Sequence, residues 1–168
     1  GVVCAASYEA RAFGVRAAIS TRLARARCPQ LIIVEPRHAR YSEASDEVME
    51  LLDAWSPVIE QVSVDEAYLD LAGTTQLHGG ADRVARGLKR AVKEKTGLTI
   101  SVGGAASKLV AKIASGASKP DGLLIVPPDE QVAWLAPRPV GEIPGIGPVA
   151  QRTLRELGIT TCGQLAAA

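Results

Sequence analysis

The spacing of apolar residues changes several times along the chain, and each change predicts a different element. Short apolar runs predict strands, which we place at residues 2–6, 31–35, 98–104 and 123–126. Helical spacing and helix-capping residues predict helices at residues 20–27, 38–54, 80–96, 107–115 and 129–136. We expect Gly97 to end the third of these helices as its C-terminal cap. Because strands and helices alternate, the pattern favours an α+β sandwich with a mostly antiparallel sheet and a split βαβ core.

Residues 58–71 carry an apolar pattern that reverses its phase. Apolar side chains stand at even positions up to Val64 and at odd positions from Ala67 onward, which one continuous strand does not accommodate. A hairpin that turns near Val64–Asp65 explains the reversal and places Asp65 and Glu66 at its tip. The predicted buried pairs are Val58 with Leu71 and Val62 with Ala67. This register leaves one unfavourable pair, since Glu60 then faces Leu69.

Composition narrows the class of protein. The 168 residues are 47% hydrophobic and 22% charged, which is typical of one globular domain with at most a small appendage. No apolar run approaches the roughly 20 residues needed to cross a bilayer, and no signal peptide opens the chain, so we expect neither membrane spanning nor secretion. Three cysteines without a CxxC pair suit a reducing cytoplasm, and any metal would be a hard ion bound by carboxylates.

Charge is distributed in blocks. Residues 1–34 carry a net charge of +4, residues 35–70 carry −8 and residues 76–119 carry +7. An acidic centre between basic segments can place carboxylates around a metal ion and cations near phosphates. Solvated helix faces also explain these blocks, and the charge distribution taken alone favours that simpler interpretation.

Asp65 and Glu66 are the strongest candidates for chemistry. Adjacent carboxylates repel each other, and a divalent cation relieves that repulsion. Mg²⁺ is typically bound by one or two carboxylates together with phosphate oxygens of a substrate. Taken alone, an Asp-Glu pair is also common on protein surfaces.

The residues around this pair resemble a known signature. SVDEAYLD, at residues 63–70, resembles the palm motif of the Y-family DNA polymerases, which copy past damaged template. SYEARAFGV, at residues 7–15, is similar to the motif on the fingers side of that family. The resemblance implies that Tyr8 and Arg11 contact the incoming triphosphate, a role suited to the forked guanidinium of arginine.

Two further segments extend the resemblance. SKPDG, at residues 118–122, is similar to the family's SKPNG element and implies that Lys119 reaches the triphosphate, although an Asp replaces the more usual Asn. Residues 101–115 resemble the palm strand and the helix beside the template. There the resemblance implies DNA contacts by Ser107 and Lys108 at the start of the helix.

The last segment, VGEIPGIGPVAQRTLRELGITT at residues 140–161, resembles a helix–hairpin–helix, the DNA-binding element of the family's thumb. Gly145 and Gly147 allow the backbone to approach a phosphate closely, and Arg152 is placed to face phosphate. Pro148 suits the first turn of the following helix. The residues expected on the packed face of that helix are Ala150, Leu154 and Leu157.

The resemblance implies an α+β fold with a palm-type, ferredoxin-like sheet and helices on one face, followed by a small helix–hairpin–helix thumb segment. The expected divisions are a partial fingers and palm segment at residues 1–35, the palm with its acidic hairpin at 36–138, and the start of the thumb at 139–168. The chain starts inside a strand-like run, so we expect a fragment that lacks the family's first palm strand, with its additional metal-binding Asp, and the C-terminal domain.

The implied activity is DNA-directed DNA synthesis of the bacterial lesion-copying type, with nucleotidyl transfer from a deoxynucleoside triphosphate to a primer 3′ end. Asp65 would bind Mg²⁺, with two ions in the complete enzyme, and Glu66 would act as a ligand and a catalytic group. The implied partners are primer–template DNA, the triphosphate and a sliding clamp bound through a tail absent here; no membrane partner is expected. We expect the fragment alone to be inactive. A catalytically inactive polymerase-like DNA-binding adaptor and a palm-fold nucleotide cyclase remain as alternatives.

Overall fold

The computed structural model describes residues 1–168, the side chain of Thr75 excepted, and divides into two compact units, Gly1–His38 and Ala39–Ala168. The first unit contains two short helices, α1 (Tyr8–Ala12) and α2 (Thr21–Arg27). Both helices begin at a serine whose hydroxyl accepts a backbone N–H, Ser7 for α1 and Ser20 for α2. The small core of this first unit consists of Ala10, Val15, Ala24 and Cys28.

Both strands expected in this unit are wrong. Val2 forms an isolated bridge with Ser20 and is 63% exposed. Residues 31–35, all of them described, are assigned to no helix or strand, and Ile32 is 85% exposed. A short apolar run supplies the right side chains for a strand, but a strand also needs a neighbour that accepts its backbone hydrogen bonds.

In the second unit, helices and strands follow one another in the predicted order. The elements are α3 (His38–Leu52, which begins at the unit boundary), β1 (Ile59–Ser63), β2 (Glu66–Leu69), α4 (Thr75–His78), α5 (Ala81–Thr96), β3 (Val102–Gly104), α6 (Lys108–Ala117), β4 (Leu123–Ile125), α7 (Gln131–Leu135), a 3₁₀ turn (Val140–Glu142), α8 (Pro148–Glu156) and α9 (Cys162–Ala166). Gly97 ends α5 with a φ of 74°, and its N–H donates to the carbonyl of Lys93, which confirms the predicted cap.

The hairpin turns where predicted, but its register differs by one residue. Ile59 pairs with Leu69 and Glu60 with Tyr68, and a β-bulge then restores the pairing of Ser63 with Glu66. Val62, the extra residue of the bulge, is 54% exposed, so the predicted buried face of even-numbered valines is wrong. Leu69 and Ile59 pack instead against the core formed by Leu52, Val84 and Leu88. The bulge also removes the unfavourable pair of Glu60 with Leu69.

The second ladder is parallel rather than antiparallel. β3 pairs with β4 in parallel, with α6 as the crossover between them, so the expectation of a mostly antiparallel sheet holds only for β1 and β2. α6 lies very close to β3, because a Cβ at Gly103 would collide with the backbone of Ala111 and Ser115. Val110, Ala114 and Val126 form the core of this βαβ unit.

In the last segment, the turn that contains Gly145 and Gly147 (the glycine turn) lies between the 3₁₀ turn and α8. Gly147 is the N-cap of α8 and Pro148 occupies its first turn, as expected. The predicted packed face is only partly correct, since Leu154 is half-buried whereas Ala150 is exposed and Leu157 is 69% exposed. Gln151 takes the inner position instead and donates a hydrogen bond from its side-chain amide to the carbonyl of Ile146 (3.0 Å).

Candidate functional site

The tip of the β1–β2 hairpin presents two adjacent carboxylates. Asp65 lies in the turn and Glu66 is the first residue of β2. The hydroxyl of Ser63 donates to Oδ1 of Asp65 (2.7 Å), and the backbone N–H of Asp65 donates weakly to the same hydroxyl (3.4 Å). Ser63 therefore fixes the Asp65 carboxylate against its own turn, while Glu66 remains 38% exposed at the edge of the ladder.

Two lysines of α6 face this hairpin. Lys112 forms an ion pair with Glu66, and Lys108, one helical turn earlier, forms an ion pair with Glu60. Lys108 also lies 5.5 Å from the ring centroid of Tyr68. The sequence suggested Lys108 as a DNA contact but missed Lys112. The available signal was the spacing of four residues, which places both ammonium groups on one face of the helix.

The donor set at the tip fits a hard divalent cation. Asp65 and Glu66 supply carboxylate oxygens, which Mg²⁺ prefers, and its remaining ligands commonly come from water and substrate phosphates. Among the described residues, no group of three or more histidines, cysteines, aspartates or glutamates is arranged to bind a metal. The pair therefore fits an ion that takes most of its ligands from a bound phosphate compound.

Lys119 lies in the loop between α6 and β4, whose backbone is restrained by hydrogen bonds. Its backbone N–H donates to the carbonyl of Gly116 (3.3 Å), and the preceding Ser118 caps the end of α6. Asp121 has a φ of 47°, in the left-handed region that Asn and Asp tolerate better than most residues. This explains why Asp can occupy a position where the resemblance has Asn more often.

The glycine turn before α8 exposes bare backbone. Gly145 has a φ of 92°, whereas Gly147 has ordinary extended geometry. At both positions a Cβ would have no described atom within 4 Å. The first turn of α8 also leaves backbone N–H groups without intrahelical acceptors, and Arg152 is exposed on the same helix. The arrangement fits an anion that approaches the backbone directly.

A cavity of about 620 Å³ lies between this glycine turn and α6. Lys112 lines it from the side of α6, and Gly145 and Gly147 line it from the other side. Lys112 therefore contacts the acidic hairpin through Glu66 and also lines the cavity beside the glycine turn.

In the first unit, Tyr8 and Arg11 lie next to each other on α1. The guanidinium carbon of Arg11 is 4.8 Å from the ring centroid of Tyr8, and its Nε donates to the carbonyl of Ala6 (3.0 Å). Tyr8 is 49% exposed and Arg11 is also exposed. Between them in sequence, backbone hydrogen bonding at the start of α1 and the Ser7 hydroxyl lower the pKa of Glu9.

Ser107 has a structural role that the sequence did not specify. Its hydroxyl accepts the N–H of Val110 (3.3 Å) and so caps α6. The cap starts the helix that carries Lys108 and Lys112. The predicted DNA contact of Ser107 stays a prediction.

Comparison with known proteins agrees with the resemblance. The impB/mucB/samB family profile matches residues 1–116, and the profile of the IMS family HHH motif matches residues 128–159. The chain is 44% identical to DNA polymerase IV of Halorhodospira halophila over 98% of its length and 46% of the relative's. It is 46% identical to DNA polymerase IV 2 of Mesorhizobium japonicum, over 99% of its length and 40% of the relative's.

Solved structures show the same likeness. DinB from Sulfolobus solfataricus superposes with a TM-score of 0.90 at 37% identity, over all of this chain and 50% of that one. An insertion ternary complex of Dbh DNA polymerase gives a TM-score of 0.90 at 38% identity, over all of this chain and 49% of that one. The chain thus spans half or less of the length of these relatives. With its palm-type fold and helix–hairpin–helix segment, the chain belongs to the impB/mucB/samB family, within the Y-family DNA polymerases.

Proposed function

We propose that the protein carrying this chain is a DNA-directed DNA polymerase that copies damaged template, transferring a nucleotide from a deoxynucleoside triphosphate to a primer 3′ hydroxyl. The observation that carries the proposal is the Asp65–Glu66 pair at the tip of the hairpin. Its carboxylates suit a divalent cation, Lys112 of α6 pairs with Glu66, and Lys108 pairs with Glu60 on the same hairpin. Relatives named DNA polymerase IV, aligned along nearly all of this chain, support it.

The proposed chemistry assigns a role to each side chain at the hairpin. Asp65 binds the metal ion with a carboxylate that Ser63 holds in place. Glu66 is a second ligand and assists in removing the proton from the primer hydroxyl. Two Mg²⁺ ions, when bound, stabilise the attacking and leaving oxygens of the displacement.

Three further residues are proposed to bind the triphosphate. Arg11 offers a guanidinium fork for phosphate oxygens, and Tyr8 stacks beside it. Lys119 contributes an ammonium from its restrained loop. The positive charges of Arg11 and Lys119 balance the negative charge that develops on the phosphates as the bond to the leaving group breaks.

DNA binding is proposed for the glycine turn, for α8 and for the start of α6. A phosphate of the DNA backbone lies against the exposed main chain of Gly145 and Gly147, and Arg152 adds a cation. Ser107 and Lys108 contact phosphate at the start of α6. Contacts of this kind give affinity without sequence preference, which suits an enzyme that moves along any template.

We also propose the division into a fingers and palm segment (1–35), a palm (36–138) and the start of a thumb (139–168). The partners are primer–template DNA, deoxynucleoside triphosphates and a sliding clamp. No described helix is long and apolar enough to cross a membrane. All three cysteines are free thiols, which supports a reducing, cytoplasmic location.

Templated primer extension by the full-length protein tests the proposal. With Mg²⁺ present, we expect incorporation of the nucleotide complementary to the template, and a chelator should abolish it. A DNA-binding adaptor would bind primer–template but extend nothing. A nucleotide cyclase would convert a triphosphate without template or primer, and either result would contradict the proposal.

A further inference from the structure

Lys89 of α5 has no role in the proposed function, yet its ammonium makes three hydrogen bonds. It donates to the carbonyl of Ile100 (2.7 Å), to the carbonyl of Asp121 (2.9 Å) and to the carboxylate of Asp121. An ammonium has three N–H donors, and here each has an acceptor. The side chain is only 20% exposed, whereas most charged side chains of the chain extend into solvent.

These contacts join three elements around the loop that carries Lys119. Ile100 precedes β3, Lys89 belongs to α5, and Asp121 lies two residues after Lys119. Lys89 binds Asp121 through both its main chain and its side chain, so it restrains the orientation of this residue as well as its position. Pro120 alone separates the restrained residue from Lys119.

The rest of the loop is fixed on either side of this contact. Before Lys119, the N–H of Ser118 donates to the carbonyl of Ala114 (3.0 Å) at the end of α6. After Asp121, the N–H of Gly122 donates to the hydroxyl of Ser101 (3.3 Å), and Val102 donates to the carbonyl of Gly122 (3.1 Å). Lys89 holds the segment between these two attachments, where the backbone is left-handed at Asp121.

We propose that Lys89 is a positioning residue that, through Asp121, orients the loop carrying Lys119 and so sets the affinity for the incoming triphosphate. The inference rests on the proposed role of Lys119 in triphosphate binding. A lysine that only stabilised the packing of α5 on β3 would affect folding stability and leave nucleotide affinity unchanged. The two roles therefore differ in a measurable way.

Single-nucleotide incorporation by the full-length polymerase provides the measurement. Lys89→Met keeps the length of the side chain and removes its charge and donors. We expect the KM for the nucleotide to rise about tenfold, in line with the loss of charge-assisted hydrogen bonds. We expect kcat and the Kd for primer–template to change by less than about threefold, and Lys89→Arg to recover most of the affinity.

Lys93→Met is the matched control. Lys93 lies one turn further along α5 and also donates to a carbonyl, that of Gly97 (2.9 Å), but it does not touch Asp121. We expect its KM to equal that of the wild type. If Lys89→Met fails to fold, Lys89→Gln takes its place with a smaller KM increase, and a KM equal to that of Lys93→Met overturns the proposal.

Measurements in a Lys119→Ala background test the positioning role of Lys89 separately from the triphosphate-binding role of Lys119. If Lys89 acts through Lys119, adding Lys89→Met to Lys119→Ala should raise KM by no more than about twofold, a non-additive result. If Lys119→Ala alone leaves KM unchanged, the role of Lys119 in the proposed function fails. If Lys119→Ala raises KM and Lys89→Met does not, the positioning role of Lys89 is wrong while the proposed function stands.

Discussion

The β1–β2 hairpin and the glycine turn before α8 are both exposed turns, but they present opposite kinds of chemistry. In the proposed function the hairpin acts through the side chains of Asp65 and Glu66, which contact Ser63 and Lys112 respectively. The proposed contact of the glycine turn with phosphate is made by its main chain, since no described atom lies within 4 Å of a Cβ placed at Gly145 or Gly147. Substitutions at the hairpin should therefore lower the rate of the reaction, and substitutions at the glycine turn should lower the affinity for DNA.

The largest effect is expected at the hairpin. Asp65→Asn or Glu66→Gln in the full-length protein removes one carboxylate charge at nearly constant volume. We expect kcat for primer extension to fall by about a thousandfold or more, because metal-assisted displacement depends on that charge. The Kd for primer–template, measured by fluorescence anisotropy, should stay within a few-fold. Normal extension by either variant would contradict the catalytic assignment and the contrast with the glycine turn.

Gly147→Val tests the other side of the comparison. A branched side chain would stand between the backbone and a phosphate, so we expect the Kd for primer–template to rise about tenfold. The φ of −79° at Gly147 suits any residue, but valine is a weaker N-cap than glycine, so we expect the melting temperature to fall by only a few degrees. The KM for nucleotide at saturating DNA should be unchanged. A variant that binds DNA normally, or that mainly loses nucleotide affinity, would reduce the turn to a structural role.

Gly145→Ala adds a backbone strain that substitution of Gly147 does not cause. The φ of 92° at Gly145 disfavours any residue with a Cβ, and we expect the free energy of unfolding to fall by about 1 kcal/mol. Gly158→Ala is the matched control, because Gly158 has a φ of 77° and equally open surroundings at the end of α8. Denaturant unfolding should show the same loss for both. DNA binding should weaken only for Gly145→Ala. If Gly158→Ala weakens DNA binding equally, backbone strain rather than a lost phosphate contact explains the effect.

The elements best predicted from the sequence are those determined by neighbouring residues. The helix at 80–96 follows from its periodicity and from Gly97, and the turn at Val64–Asp65 follows from the reversed apolar phase. The strands expected at 2–6 and 31–35 had only apolar composition in their favour. Without a paired neighbour, such a run determines no strand, whatever its side chains.

The details of the site depended on contacts between residues far apart in sequence. Lys112 pairs with Glu66 across 46 positions and Lys89 pairs with Asp121 across 32. The four-residue spacing places Lys112 on the same helix face as Lys108, but local spacing does not indicate which acid Lys112 or Lys89 contacts. The bulge at Val62 likewise brings Ile59 and Leu69 onto the core, against the alternation of valines that suggested the opposite face. The motif placed Asp65 and Glu66 at the turn, but the lysine that pairs with Glu66 and the register of the hairpin came from tertiary packing.

Arg152→Ala gives the smallest effect and the finest distinction between the two regions. Arg152 is exposed on α8 beyond the glycine turn, where it can neutralise one phosphate without fixing its position. If so, the slope of log Kd against log salt concentration should decrease by about one unit, since each neutralised phosphate releases close to one counterion. Glu66→Gln should leave that slope unchanged, because the hairpin contributes chemistry rather than DNA affinity. A salt titration of primer–template binding compares the two variants directly. An unchanged slope for Arg152→Ala would mean that the DNA affinity of this segment comes from the backbone of the glycine turn without help from this cation.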